Sequence, residues 1–182
     1  NSVFALDKFI EDLAALFRLQ AEEKGLVFNL ELDHKVPTTI YSDSVRLAQV
    51  ITNLVNNSIK FTESGSVDLH LTRVDSDKDH DHLKFVISDT GKGIVKDKIP
   101  TLFEPFTQED TSINRQYGGS GLGLSIAKRL VNAMNGEITI NSEVNVGTEV
   151  TFTCLLDKKN QAPEALVLSL PSERAATSES IL

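Results

Sequence analysis

Apolar and polar positions alternate between two periods along this chain. Residues 7–24 place Phe9, Ile10, Leu13, Leu16, Phe17, Gln20 and Ala21 at helical spacing. Asp7 is the expected N-cap and Gly25 the expected stop. Val27 to Leu32 then alternates as a strand does, and Pro37 lies in a connection. A second helix is predicted from Asp43 to Thr62, with Leu47, Val50, Ile51, Leu54 and Ser58 as its inward stripe and Gly65 beyond its end. Two alternating runs follow, 66–74 and 83–89, separated by the charged stretch Asp75-Ser76-Asp77-Lys78-Asp79-His80-Asp81, which reads as a solvated hairpin tip. Residues 91–120 are rich in glycine, proline and polar residues, with Phe103 and Phe106 isolated among them. So long a connection in a compact domain predicts a lid. A third helix over 121–135 stops at Gly136, and strands near 137–142 and 148–156 close the pattern. Helices interleaved with hairpins predict an α+β fold, with helices layered on one face of a mixed sheet.

The pattern spans residues 1–156 as one domain, and residues 157–182 differ in character. Lys158 to Pro163 reads as linker. Ala165 to Leu170 is a short apolar run, followed by a Ser-, Ala- and Glu-rich end. Two readings stand for this tail: a disordered extension, or the first elements of a further domain. The chain starts without Met, and we expect it to be part of something longer.

Composition narrows the function classes. With 182 residues, 40% hydrophobic and 24% charged, the chain has the profile of a soluble globular domain. A net charge of −8 argues against a nucleic-acid partner, though not against a local basic pocket. The lone Cys154 cannot form an intrachain disulfide and sits in a strand-like run as a small hydrophobe. No apolar run approaches the ~18–20 residues that span a bilayer, and no signal peptide opens the sequence.

Three segments carry candidate chemistry. Gly118-Gly119-Ser120-Gly121-Leu122-Gly123-Leu124 runs straight into the third helix. Such a turn brings unpaired backbone N–H groups to a helix N-terminus, where an anion is stabilised. It is neither a P-loop, since no Gly-Lys-Ser/Thr closes it, nor a dinucleotide fingerprint, since Leu124 stands where that spacing needs Gly. On the second helix Asn53, Asn57 and Lys60 share one face. Asparagine is a poor helix former; its amide oxygen is a hard neutral ligand suited to Mg2+. Finally, Asp89-Thr90-Gly91-Lys92-Gly93-Ile94 ends a strand, and an Asp acceptor there would match an exocyclic amine and reject a carbonyl.

The ordered set resembles the catalytic ATP-binding domain of sensor histidine kinases, of the hybrid type, in the GHKL superfamily. The resemblance covers residues 3–156 and is densest in Arg46-Leu47-Ala48-Gln49-Val50, in Asn53 to Thr62 and in Gly119 to Leu124. It implies a two-layer α/β sandwich of the Bergerat type with an ATP lid. It implies Asn57 as the Mg2+ ligand with Asn53 beside it, Lys60 on phosphate and Phe61 bordering the nucleotide. Asn53, Asn57 and Lys60 form the implied catalytic set. Asp89 would accept from the adenine amine, with Gly91, Gly93 and Ile94 passing the base. Phe103 and Phe106 would support the lid, and Arg115 is a candidate phosphate contact. Gly119, Gly121, Leu122, Gly123 and Leu124 would wrap the phosphates, and Thr148 would lie near the adenine through water.

In the ATPases of this superfamily a Glu, the water-activating base, stands one turn before the Mg2+ Asn. Here that position is Asn53, and an amide is a very poor base. The resemblance therefore implies a protein histidine kinase that stores ATP for an external acceptor. Its alternatives are a regulatory nucleotide-binding module without transfer activity and a free-standing ATPase. None of His34, His70, His80 and His82 suits the acceptor role. The implied partners are a dimerisation and phosphoacceptor domain ahead of residue 1 and a receiver domain downstream. Leu168-Ser169-Leu170 lacks the paired acids of a receiver's first strand, so a receiver starting here would be degenerate. The parent is expected to be dimeric and membrane-anchored, with this portion cytoplasmic and itself monomeric.

Overall fold

The computed structural model describes residues 1–104 and 122–158. Phe106, Arg115, Gly119 and Gly121, the centre of the expected lid, and the tail beyond Lys158 lie outside the described residues.

The first strand, β1 (Ser2–Ala5), leads directly into helix α1 (Leu6–Glu23). Strands β2 (Val27–Leu32) and β3 (Thr39–Ser42) precede helix α2 (Ser44–Phe61). The long hairpin β4 (Ser66–Ser76) and β5 (His80–Asp89) follows. A 3-10 turn covers Lys96–Thr101; beyond the undescribed segment come helix α3 (Gly123–Ala133) and the hairpin β6 (Ile138–Glu143) and β7 (Gly147–Asp157). The five-stranded sheet has the order β2-β4-β5-β7-β6, with β2 and β4 parallel and every other pair antiparallel. The expected α+β architecture with a mixed sheet is what forms.

Period-two burial shows which face the helices cover. Leu69, Leu71, Leu83, Phe85, Ile87, Phe152 and Cys154 are buried on one face, beneath Leu47, Val50, Ile51, Leu54, Val55, Ala127 and Val131 of α2 and α3. Phe85 and Phe152, paired across strands, stack with ring centroids 4.5 Å apart. Cys154 belongs to this core, and burial pushes its thiol up to about 12, which leaves it inert as a nucleophile. Among the described residues no helix is long and apolar enough to cross a membrane.

Four local expectations change. Asp7 is not the N-cap of α1: Ala5 occupies that place without a capping side chain. The helix starts earlier because Leu6 is fully buried and its N–H donates to Thr38 O at 2.7 Å. Asp7 then sits in the first turn, where a carboxylate suits the helix dipole. The inward stripe of α1 is Leu6, Ile10, Ala14, Phe17 and Ala21, which leaves Leu16 59% exposed and Gln20 outside. Strands β1 and β3 were not expected; they pair antiparallel over four residues each, and so short a nonlocal pair leaves no periodic signal. The fourth change concerns the hairpin tip. Strands β4 and β5 extend further than their apolar residues, and Asp81 is a buried residue of β5, 3% exposed, rather than part of a solvated tip.

Candidate functional site

The candidate residues converge where β5 and β7 meet the C-terminal half of α2 and the start of α3. Helix α2 begins with Asp43 capping Arg46 N–H at 3.0 Å. Its buried stripe of Leu47, Val50, Ile51, Leu54, Val55 and Ser58 turns Asn53 and Asn57 to its partly exposed flank, while Asn56 faces solvent. Asn53 Nδ2 donates to Gly123 O at 3.3 Å, tying α2 to the first residue of α3. A Cβ on Gly123 would lie 3.9 Å from Asn57 Nδ2, so the glycine start of α3 stands directly over both asparagines. Leu122 and Leu124 flank that start, and both are half-buried.

The C-terminal end of α2 is held by a residue with no obvious sequence signal. Lys24 Nζ, just past α1, donates to the carbonyls of Ile59, Lys60 and Thr62 at 2.7, 2.8 and 2.9 Å. A cation on the terminal carbonyls satisfies groups that lack intrahelical donors and meets the negative end of the dipole. It fixes the stretch that carries Lys60 and Phe61. The Lys60 and Lys92 ammonium groups stand 5.0 and 5.1 Å from the Phe61 ring centroid, so two cations gather at one aromatic ring.

Asp89 closes β5. Its Oδ1 accepts from Gly91 N at 2.9 Å and Thr148 N at 3.2 Å, and the Ser58 hydroxyl of α2 also bonds the carboxyl. A carboxylate has about four acceptor positions; these three donors leave room for one more. Burial raises the Asp89 pKa, and the three hydrogen bonds only partly oppose that. The turn behind Asp89 is packed against protein backbone. A Cβ on Gly91 would come 2.6 Å from Phe61 O, and one on Gly93, whose φ is +69°, would overlap the Glu143 carbonyl. Ile94 N donates to Ser142 Oγ at 2.8 Å, and Ser142 in turn contacts Thr148. At the root of the undescribed segment, the Lys128 ammonium of α3 stands 4.9 Å from the Phe103 ring centroid.

Pairwise contacts thus link Asn53 and Asn57 to Gly123, Phe61 to Gly91, and Asp89 to Ser58 and Thr148, with Lys60 beside Phe61 and Phe103 beside Lys128 of α3. Lys24, Ser58, Lys92 and Ser142 were not anticipated. The helical period puts Ser58 in the core stripe, which hides that its hydroxyl bonds Asp89. Among the described residues no group of three His, Cys, Asp or Glu side chains could hold a metal ion. The oxygen donors on the α2 flank are amides, a set that suits Mg2+ shared with phosphates and water rather than a closed protein cage.

Comparison with known proteins supports the fold and gives the family. Residues 42–158 match the family model described as histidine kinase-, DNA gyrase B- and HSP90-like ATPase. The chain is 42% identical over 154 residues to hybrid signal transduction histidine kinase L of Dictyostelium discoideum, covering 84% of this chain and 9% of that one. It is 38% identical over 154 residues to the signal transduction histidine-protein kinase BarA of Escherichia coli, covering 85% and 17%. The chain therefore spans less than a fifth of the length of these relatives. Full-length ShkA, solved in complex with AMPPNP, superposes with a TM-score of 0.74 at 32% identity, covering 86% of this chain and 31% of that one. The nucleotide-free catalytic domain of the histidine kinase ThkA gives 0.68 at 25% identity, covering 84% and 93%. The chain belongs to the histidine kinase-, DNA gyrase B- and HSP90-like ATPase family, as a catalytic domain of the histidine-kinase type in the GHKL superfamily.

Proposed function

We propose that this domain binds Mg-ATP and donates the γ-phosphoryl group to a histidine on a separate dimerisation and phosphoacceptor domain. The observation that carries the reading is Asn53. It stands one turn before Asn57, facing the start of α3, where a hydrolytic member of the superfamily would carry a general base. An amide neither takes a proton from water nor carries charge at neutral pH.

In this reading Asp89 accepts a proton of the adenine amine and Thr148 assists beside it. Phe61 borders the base. Lys60, with Lys92 close by, offsets phosphate charge. Asn57 would hold Mg2+ through its amide oxygen, with Asn53 orienting the start of α3. The metal, when bound, neutralises charge on the phosphate oxygens. The N-terminal N–H groups of α3, with Gly123, Leu122 and Leu124, receive the phosphates. Arg115, Phe106, Gly119 and Gly121 would complete the lid. Phosphoryl transfer depends on positioning and charge neutralisation, which these groups supply. The acceptor imidazole nitrogen forms the new P–N bond as the P–O bond to ADP breaks.

The relatives carry "hybrid" in their names, which supports a receiver domain as a further partner. We also propose a dimeric, membrane-anchored parent with this domain on the cytoplasmic side, residues 1–156 as the catalytic unit and 157–182 as linker toward a following domain.

The test is trans-phosphorylation with radiolabelled ATP and a supplied phosphoacceptor domain. The expected result is label on the acceptor histidine with slow phosphate release when the acceptor is left out. Rapid acceptor-independent turnover would establish a free-standing ATPase instead. ATP binding with neither label nor turnover would establish a regulatory nucleotide-binding module.

A further inference from the structure

Ser142 lies opposite Thr148 in the β6–β7 pairing and is only 5% exposed. Three polar groups converge on its Oγ. Ile94 N–H donates to it at 2.8 Å, Gly147 O lies at 2.9 Å and Thr148 Oγ1 at 2.8 Å. A serine hydroxyl has one proton and two lone pairs. The Ile94 amide can only donate and the Gly147 carbonyl can only accept. Two oxygens 2.9 Å apart repel unless a proton lies between them, and only Ser142 can place one on Gly147 O. With its proton so used, Ser142 must receive the proton of Thr148. The opposite arrangement, Ser142 donating to Thr148, leaves a lone pair of Ser142 facing the Gly147 carbonyl across a buried contact, which is costly.

We infer that Ser142 is a specificity-determining positioning residue: it takes the Thr148 proton and so makes the Thr148 hydroxyl an acceptor toward the cleft. The inference rests on the nucleotide reading above and deepens it. Thr148 N–H is already given to Asp89 Oδ1 at 3.2 Å, so neither polar proton of Thr148 is left for a ligand. Ionised Asp89 is likewise acceptor-only. The base edge is then met by two acceptors side by side, which an exocyclic amine with two N–H groups satisfies directly or through water. A carbonyl at that position meets only lone pairs. Discrimination against an oxo-purine thus comes from a polar residue that itself need not touch the base.

The test compares binding of ADP and IDP, which differ at the base edge, by calorimetry with Mg2+ present. The wild-type chain is expected to prefer ADP. Ser142→Ala frees the Thr148 proton to turn toward the IDP carbonyl, and the ADP-to-IDP affinity ratio falls about fivefold, the value of one neutral hydrogen bond. Ser142→Cys, of similar volume but too weak an acceptor to hold the Thr148 proton, gives the same fall and stands in if Ser142→Ala does not fold. Thr148→Val lowers the ratio as well, and adding Ser142→Ala to it lowers it no further. Equal weakening of both nucleotides, or an unchanged ratio in the serine variants, overturns the inference while leaving the nucleotide reading intact. If wild type binds neither nucleotide, both fall together.

Discussion

Strand β5 carries an inward-facing aspartate at each end, and the two are neutralised in opposite ways. Asp81 and Asp89 bracket the apolar residues Leu83, Phe85 and Ile87 on the same face of the strand. Asp81 is buried between two cations, Arg73 Nη1 at 3.6 Å and Lys158 Nζ at 3.4 Å. Its Oδ1 receives no hydrogen bond among the described residues and is held by charge alone. Lys158 also bonds Ser76 Oγ and Asp77 O, both at 2.6 Å, which clamps the end of β7 onto the β4–β5 turn. Asp89 is surrounded instead by neutral donors: two backbone N–H groups and the Ser58 hydroxyl. A buried acid matched by cations is finished as structure. One matched only by neutral dipoles keeps acceptor capacity, which the adenine role proposed for Asp89 requires.

The comparison breaks most visibly on nucleotide affinity. Asp89→Asn should weaken ADP binding on the order of tenfold to a hundredfold, the cost of losing a hydrogen bond to a charged acceptor. Asp81→Ala should leave that affinity unchanged. Calorimetry on both variants checks the pair, and equal losses would erase the distinction drawn between the two ends.

Stability should respond in the reverse order. Asp81→Ala leaves two partly buried cations without their shared partner and should cost roughly 1–3 kcal/mol in denaturant melts, discounted because both cations reach water. Asp89→Asn should be neutral or stabilising at neutral pH, because ionised Asp89 is held in a site that raises its pKa. Lys24→Met tests the cleft's own support. It strips a cation from three carbonyls and should cost about 1–2 kcal/mol. It should also weaken ADP binding, since Lys60 and Phe61 lie on the segment it anchors.

The smallest effect is on pH dependence. Asp89 binds its proton more tightly in the folded chain than in the unfolded one. As pH rises from the ordinary carboxylate value near 3.8 through the raised folded value, its ionisation therefore lowers stability. Below that window its contribution is fully present. The wild-type curve should show this fall and Asp89→Asn should lack it. Identical slopes in that window would mean that Asp89 titrates as an exposed carboxylate.

Much of this was legible in the chain. The helix periods of α1, α2 and α3 and the alternation of β2, β4, β5, β6 and β7 are one-dimensional signals, because each follows from which side of an element meets the core. The candidate residues of α2 were legible for the same reason: Asn53, Asn57 and Lys60 share a helix face whatever α2 packs against. What escaped were contacts between segments distant in sequence. Lys24 reads as a surface lysine until α1 and the end of α2 are brought together. Asp81 lies in phase with Leu83 and Phe85, yet its neighbours are charged, and among the described residues Arg73 and Lys158 are what make its burial tolerable. Ser142 and Thr148 face each other only once β6 and β7 pair in register. The sequence by itself determined the three helices, the strands of the five-stranded sheet, the family and the candidate groups proposed to meet a nucleotide, since those depend on local period and residue type. The tertiary structure alone decided which acid is neutralised by cations and which by dipoles, and where each hydroxyl proton goes, because protonation and hydrogen-bond direction are set by neighbours that folding supplies.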